Sequence, residues 1–183
     1  MYRSDDAGAS WTRITSDERP ISPAALAQQH QLEQRLAELI TRSSQLVTQA
    51  QSSTDQMAKL APNQDALKAQ LAAAAAKVKI VLSGPKATPM PRVPPGPPPA
   101  TLSGVNGNLL ALYKMTAVDA APTAIQLTET DKAERELNEL AATWDALKTA
   151  ELAPLGVALT AAGFPAIRPE LVDEPRQGQS DEE

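Results

Sequence analysis

Between residues 22 and 60 the chain places Leu32, Leu36, Leu39, Ile40, Ser43, Leu46, Val47, Ala50, Met57 and Leu60 at steps of three and four, with Gln, Ser, Thr and charged residues between them. That spacing puts the set on one face of a helix, so the pattern predicts one long amphipathic helix over about 22–60. At about 1.5 Å per residue it would be nearly 60 Å long. Its start is marked by Ser22, an N-cap acceptor for first-turn amides, and by Pro23, whose missing N–H costs nothing at the first helical position. Ala61-Pro62-Asn63 predicts a turn, with Asn63 expected to cap the second helix. Leu67, Leu71, Ala74, Ala75, Val78 and Leu82 then form a second stripe that stops at Ser83-Gly84-Pro85. So short a connection predicts an antiparallel hairpin, and its many alanines predict a thin core.

Residues 85–99 carry eight of the sixteen prolines. Proline lacks the amide hydrogen that a helix or ladder requires, so an extended, semi-rigid linker is expected over 85–100. Its PxxP spacings leave open a reading as a ligand for an SH3- or WW-type groove, which would make the chain a coiled-coil adaptor. Beyond it, Leu102, Val105, Leu109, Leu112 and Tyr113 predict a third helix over 102–118 with these side chains inward. Thr123 and Gln126 have capping-box spacing, and a fourth helix to about 150 turns Ala133, Leu137, Leu140, Trp144 and Leu147 inward, leaving Glu134 and Glu136 off the stripe. Pro154 is expected to begin a short fifth helix that Gly163 ends, with Phe164 and Ile167 folding back as an apolar plug. The expected organisation is an N-terminal piece over 1–19, helical hairpins over 20–84 and 101–168, and a disordered acidic tail over 169–183. The fold class is all-α: an elongated antiparallel bundle of two hairpins joined by the proline-rich linker.

The first nineteen residues do not follow this pattern. Ser4-x-Asp6-x-Gly8-x-x-Trp11 fits S-x-D-x-G-x-x-W. In that spacing the Asp carboxylate accepts turn amides, the Gly permits positive φ, and the Trp opens the next strand with its ring under the loop. The motif resembles the Asp-box, or bacterial neuraminidase repeat. Further on, Leu112-Tyr113, Val118 to Thr123, and Glu136-Leu137 through Trp144, Ala146-Leu147-Lys148, Gly163, Pro165 and Ile167 resemble the helical tail of bacterial glycosyl-hydrolase-like proteins with sortilin-like Asp-box propellers, over about residues 20–170. The resemblance implies a structural role for Ser4, Asp6, Gly8 and Trp11 as a β-hairpin remnant, an exported parent whose missing propeller domains are partners of the tail, and a chain that is a truncated or internally deleted relative. A fragment of a sialidase-like hydrolase is the alternative. Such sites gather an arginine cluster, a Tyr nucleophile with a Glu partner and an Asp acid on a propeller axis; Tyr2 and Tyr113 are the only tyrosines here.

Composition narrows the chemistry. The 183 residues are 42% hydrophobic but only 3% aromatic, with net charge −5, which favours helices built from Ala and Leu and disfavours a nucleic-acid partner. No apolar run approaches the roughly 20 residues of a membrane span, and the first residues lack a signal-peptide pattern. There are no cysteines. His30, the one histidine, is expected as an exposed residue of the first helix, and Trp144 and Tyr113 as core residues with a polar edge. No catalytic, cofactor or metal residues are expected. The function implied is a non-catalytic structural or interaction module, with a homodimer through the Ala-rich helical faces because extra burial would stabilise them.

Overall fold

The computed structural model describes residues 2–3, 12–13, 22–85, 99–116 and 121–170. Tyr2–Arg3 (β1) and Thr12–Arg13 (β2) pair antiparallel, Tyr2 opposite Arg13. The helices are α1 (Pro23–Ala58), α2 (Asp65–Ser83), α3 (Leu102–Met115), α4 (Ala124–Leu147) and α5 (Ala153–Ala161), with a π-helical segment, Lys148–Leu152, joining α4 to α5 without a break. The protein is an all-α bundle.

Its cross-section is three columns. The α1 side chains buried in the core are Gln29, Leu32, Leu36, Leu39, Ser43, Ala50, Ser53 and Met57, an alternation of three- and four-residue steps once the half-buried Leu46 is included. In α4 the set Thr130, Ala133, Leu137, Leu140, Trp144 and Leu147 repeats the same heptad. A 3.5-residue repeat keeps one seam facing its neighbours along the full length of a helix, as in coiled coils. Column one is α1, about 54 Å long at about 1.5 Å per residue. The second column is α4 with its π-helical and α5 continuation. It runs parallel to α1, since Arg35 reaches Glu134, Arg42 reaches Asn138 and Gln49 reaches Trp144 in ascending order.

Two helices laid end to end make the third column. Helix α2 returns antiparallel along the C-terminal part of α1, and α3 continues in the same direction along its N-terminal part, Asn106 meeting Ser43 and Thr116 meeting Gln29. The 19 residues of α2 and 14 of α3 nearly match the 36 of α1. Both expected hairpins are present, yet they share one continuous core, and α1 makes its most extensive contact with α3. At the junction Gly84 has φ +85° and ψ 173°, a conformation open only to glycine, and donates its N–H to Ile80 O at 2.8 Å.

Local chemistry sets the ends of the elements. Ser22 Oγ accepts the Ala25 N–H at 3.1 Å and Thr101 Oγ1 that of Gly104 at 3.1 Å. The Thr123 capping box forms in both directions, Gln126 N–H to Thr123 Oγ1 and Thr123 N–H to Gln126 Oε1. A Schellman turn closes α5: Gly163 at φ +83°, Phe164 N–H on Leu159 O and Gly163 N–H on Thr160 O. It turns the chain back so that Ile167 is buried and Phe164 packs on the core. Gln56 then clamps the returning backbone, its Nε2 on Arg168 O at 2.9 Å and its Oε1 on Arg168 N–H at 2.8 Å.

Three expectations change. Asn63 does not cap α2; Gln64 is the N-cap residue, without a side-chain bond, and the exposed Asp65 in the first turn supplies the favourable negative charge instead. Tyr113 is not inward but 44% exposed, because the heptad of α3 runs through Leu102, Val105, Leu109, half-buried Leu112 and Thr116, and Thr116 takes the core place one turn on. Helix α4 gives way to π geometry at Lys148, before the expected end near 150, because its apolar seam passes from Leu147 to Leu152 with one residue more than a four-residue step allows. The wider turn absorbs that residue and keeps Leu152, Leu155 and Leu159 inward.

Candidate interaction surface

Polar side chains inside the seam are matched across or within the helices. Ser43 and Ser44 of α1 both donate to Asn106 Oδ1 of α3, at 2.8 and 3.1 Å. Ser53 and Thr130, fully buried, donate back to Gln49 O and Gln126 O on their own helices, the local bond that satisfies a core hydroxyl. Trp144, also fully buried, donates Nε1–H to Gln49 Oε1 at 3.1 Å, which bears out its expected place in the core with a polar edge. The cross-helix bonds of Ser43 and Ser44 to Asn106 and of Trp144 to Gln49 set the axial register of the columns they join.

Charges lie at the rim. Arg35 bridges to Glu134 and to Asp131, the latter at 2.8 Å. The hydrogen bond that Arg35 donates to Glu134 is the largest cause holding its guanidinium above the usual arginine value, desolvation opposing it and Asp131 adding to it. Stability from a raised-pKa base is complete below the unfolded value and is lost only above it, so this contribution is constant through neutral pH. On the opposite edge of α2, Lys77 pairs with Glu151 of the π-helical segment. His30 is exposed on α1, its Nε2 3.0 Å from Gln34 Nε2. Among the described residues no group of three His, Asp or Glu could hold a metal ion, and no helix is long and apolar enough to cross a membrane. Ser4, Asp6, Gly8 and Trp11 lie outside the described residues, as do Val118–Asp119 and residues 86–98 and 171–183.

The described surface is mainly apolar where it is concave. A groove of about 510 Å³ opens at the α1–α2 turn, lined chiefly by Thr54 and Met57 on α1, Leu60 in the turn, and Lys68, Leu71 and Ala75 on α2, with Ala58 and Ala72 on its walls. It lies on the outer side of the helix pair: Gln49 and Lys77, which meet the second column, are on the other edge of the same two helices. Ile80 of α2 and Val157 of α5, elsewhere on the surface, are 51% and 72% exposed. Met57, Leu60, Leu71 and Ala75 belong to the predicted inward stripes; what the sequence pattern did not show is that the seam opens outward here, because alanine at every position of residues 72–76 gives no edge to the stripe. The short side chains leave the space that larger ones would fill. No family model, curated protein or solved structure matches the chain.

Proposed function

We propose that the chain is a non-catalytic helical module whose work is to pack against partners, a second copy of itself first among them. The observation that carries this reading is the outer groove: an apolar trough between two helices, floored by Met57 and Leu71 and walled by alanines, has the shape into which another helix settles. The Asp-box spacing at Ser4 to Trp11, flanked by the paired strands Tyr2–Arg3 and Thr12–Arg13, supports kinship with Asp-box propeller proteins; in such a relative, hydrolysis belongs to the propeller and the helical part serves as scaffold.

Sedimentation of the purified chain over a wide concentration range tests the packing role. A reversible dimer is expected, and Ala58→Glu with Ala72→Glu should return it to monomer with its helical circular dichroism intact. A wild-type chain monomeric at every concentration would end the self-association reading. For the hydrolase alternative, a sialidase or glycosidase assay is expected to show no turnover; activity abolished by a single substitution in this chain would restore it.

A further inference from the structure

The chain holds four asparagines, Asn63, Asn106, Asn108 and Asn138, and of these Asn106 is the one followed by glycine. An asparagine side chain carries an electrophile, the amide carbon Cγ, next to the backbone nitrogen of the following residue. When that residue is glycine no Cβ shields the nitrogen, and the two atoms close readily into a five-membered ring. Asn106–Gly107 lies in the body of α3, where the fold keeps the two atoms apart. Gly107 belongs to the α-helical ladder, so its N–H is committed to the carbonyl of Ser103 one turn back, and helical ψ turns its nitrogen away from the Asn106 side chain. Asn106 Oδ1 accepts from Ser43 Oγ at 2.8 Å and from Ser44 Oγ at 3.1 Å, which fixes the side chain against α1. Leu102, Val105 and Leu109, all buried, anchor the surrounding turns.

That restraint lasts only while α3 is closed. The helix has 14 residues and two interior glycines, Gly104 and Gly107, each less favourable in a helix than alanine. So short a helix does not persist without its packing. Gly107 is exposed, and a Cβ there would meet nothing within 4 Å, so solvent reaches the peptide. We propose that Asn106–Gly107 is a self-modification site, blocked by the folded α3 and released when that helix opens. The Gly107 nitrogen attacks Asn106 Cγ; the N–Cγ bond forms, the Cγ–Nδ2 bond breaks, and the side-chain nitrogen leaves as ammonia with the proton that Gly107 gives up. Water then opens the ring. Addition at Cγ gives aspartate, whereas addition at the backbone carbonyl gives an isoaspartyl linkage, in which the main chain runs through the former side chain. Aspartate keeps an oxygen where Ser43 and Ser44 donate and leaves the backbone unaltered. The isoaspartyl linkage adds one backbone atom and carries Leu109, Leu112 and Thr116 out of the heptad set by Leu102 and Val105, so α3 does not close again in register. Opening thereby becomes permanent, independently of the groove assigned to self-association.

The full chain, held at mildly alkaline pH and digested at intervals, gives the rate at each asparagine from mass spectrometry of the ring and acid forms. In denaturing urea Asn106 is expected to react several-fold faster than Asn63, Asn108 and Asn138, and Gly107→Ala should slow it by about tenfold because a Cβ crowds the attacking nitrogen. In the native protein the rate at Asn106 should be lower by about tenfold or more, since only the open fraction of α3 reacts, and should climb with urea added below the unfolding midpoint. Separated and returned to buffer, the aspartyl form should regain the parent's helical circular dichroism and the isoaspartyl form should not. Equal rates in native protein and in urea, or a native rate indifferent to sub-denaturing urea, would show that the folded helix imposes no block and overturn the proposal. A rate at Asn106 no higher in urea than at the other three asparagines overturns it too, as does an isoaspartyl form that refolds with the parent's melting temperature.

Discussion

Leu137 lies near the middle of α4 and has no exposed surface. Truncating such a side chain removes its transfer energy and leaves a hole that rigid helices fill poorly, so Leu137→Ala is expected to cost about 2–5 kcal/mol, measured by chemical denaturation. Glycines divide by conformation. Gly163 turns the chain at φ +83°, so although a Cβ there would meet nothing, Gly163→Ala should destabilise by about 1 kcal/mol. Gly107, in the body of α3, has ordinary helical φ and equally open surroundings; Gly107→Ala should stabilise by about 0.5–1 kcal/mol, since it removes unfolded-state freedom without a clash. A melt that moved the two variants in the same direction would contradict this division. At this scale much was legible in the sequence: the inward leucines, the Ser22 and Thr123 caps, the Trp144 core position. Tyr113 was not, because an amphipathic ring at the edge of a stripe carries the same pattern whether it turns in or out. The partners of Ser43 and Gln49 were not either, since which polar groups meet across columns depends on axial register, a tertiary quantity.

The helices themselves were legible to within a few residues at most ends, while their arrangement was not. Steps of three and four announce a face; they do not say that α2 and α3 share one column. The join between α4 and α5 is the instructive case. Its spacing, Leu147 to Leu152, is visible in the letters, but the letters do not say that the helix widens instead of rotating its next leucines outward. Deleting Ala150 restores a four-residue step and should leave an ordinary α-helix through this stretch, with a melting temperature equal to or above that of the parent. Inserting a second alanine after Ala150 adds a residue that no further widening absorbs, and should lower it clearly. Equal loss of stability in both variants would mean that the π geometry is held by contacts such as Lys77–Glu151, and not by the count of residues.

For the whole molecule the decisive dimension is the gap in the third column. A Cβ on Gly84 would lie only 3.4 Å from Thr101 Cγ2, so the ends joined by the proline-rich residues are side by side. A long closed loop costs entropy that grows with the logarithm of its length. Replacing residues 86–98 with four residues of Gly and Ser should therefore preserve the fold and stabilise it by about 1 kcal/mol, read from the denaturation midpoint. A loss of helicity would show that the prolines carry contacts of their own.

The same gap has a topological consequence. No covalent crossing is needed between the half that ends at Gly84 and the half that begins at Thr101; each brings an incomplete set of columns, and each buries its seam only against the other. Two polypeptides divided at residue 90 and expressed separately should thus be weakly structured alone and recover the full helical signal on mixing, as a fragment-complementation pair whose affinity measures the shared core directly.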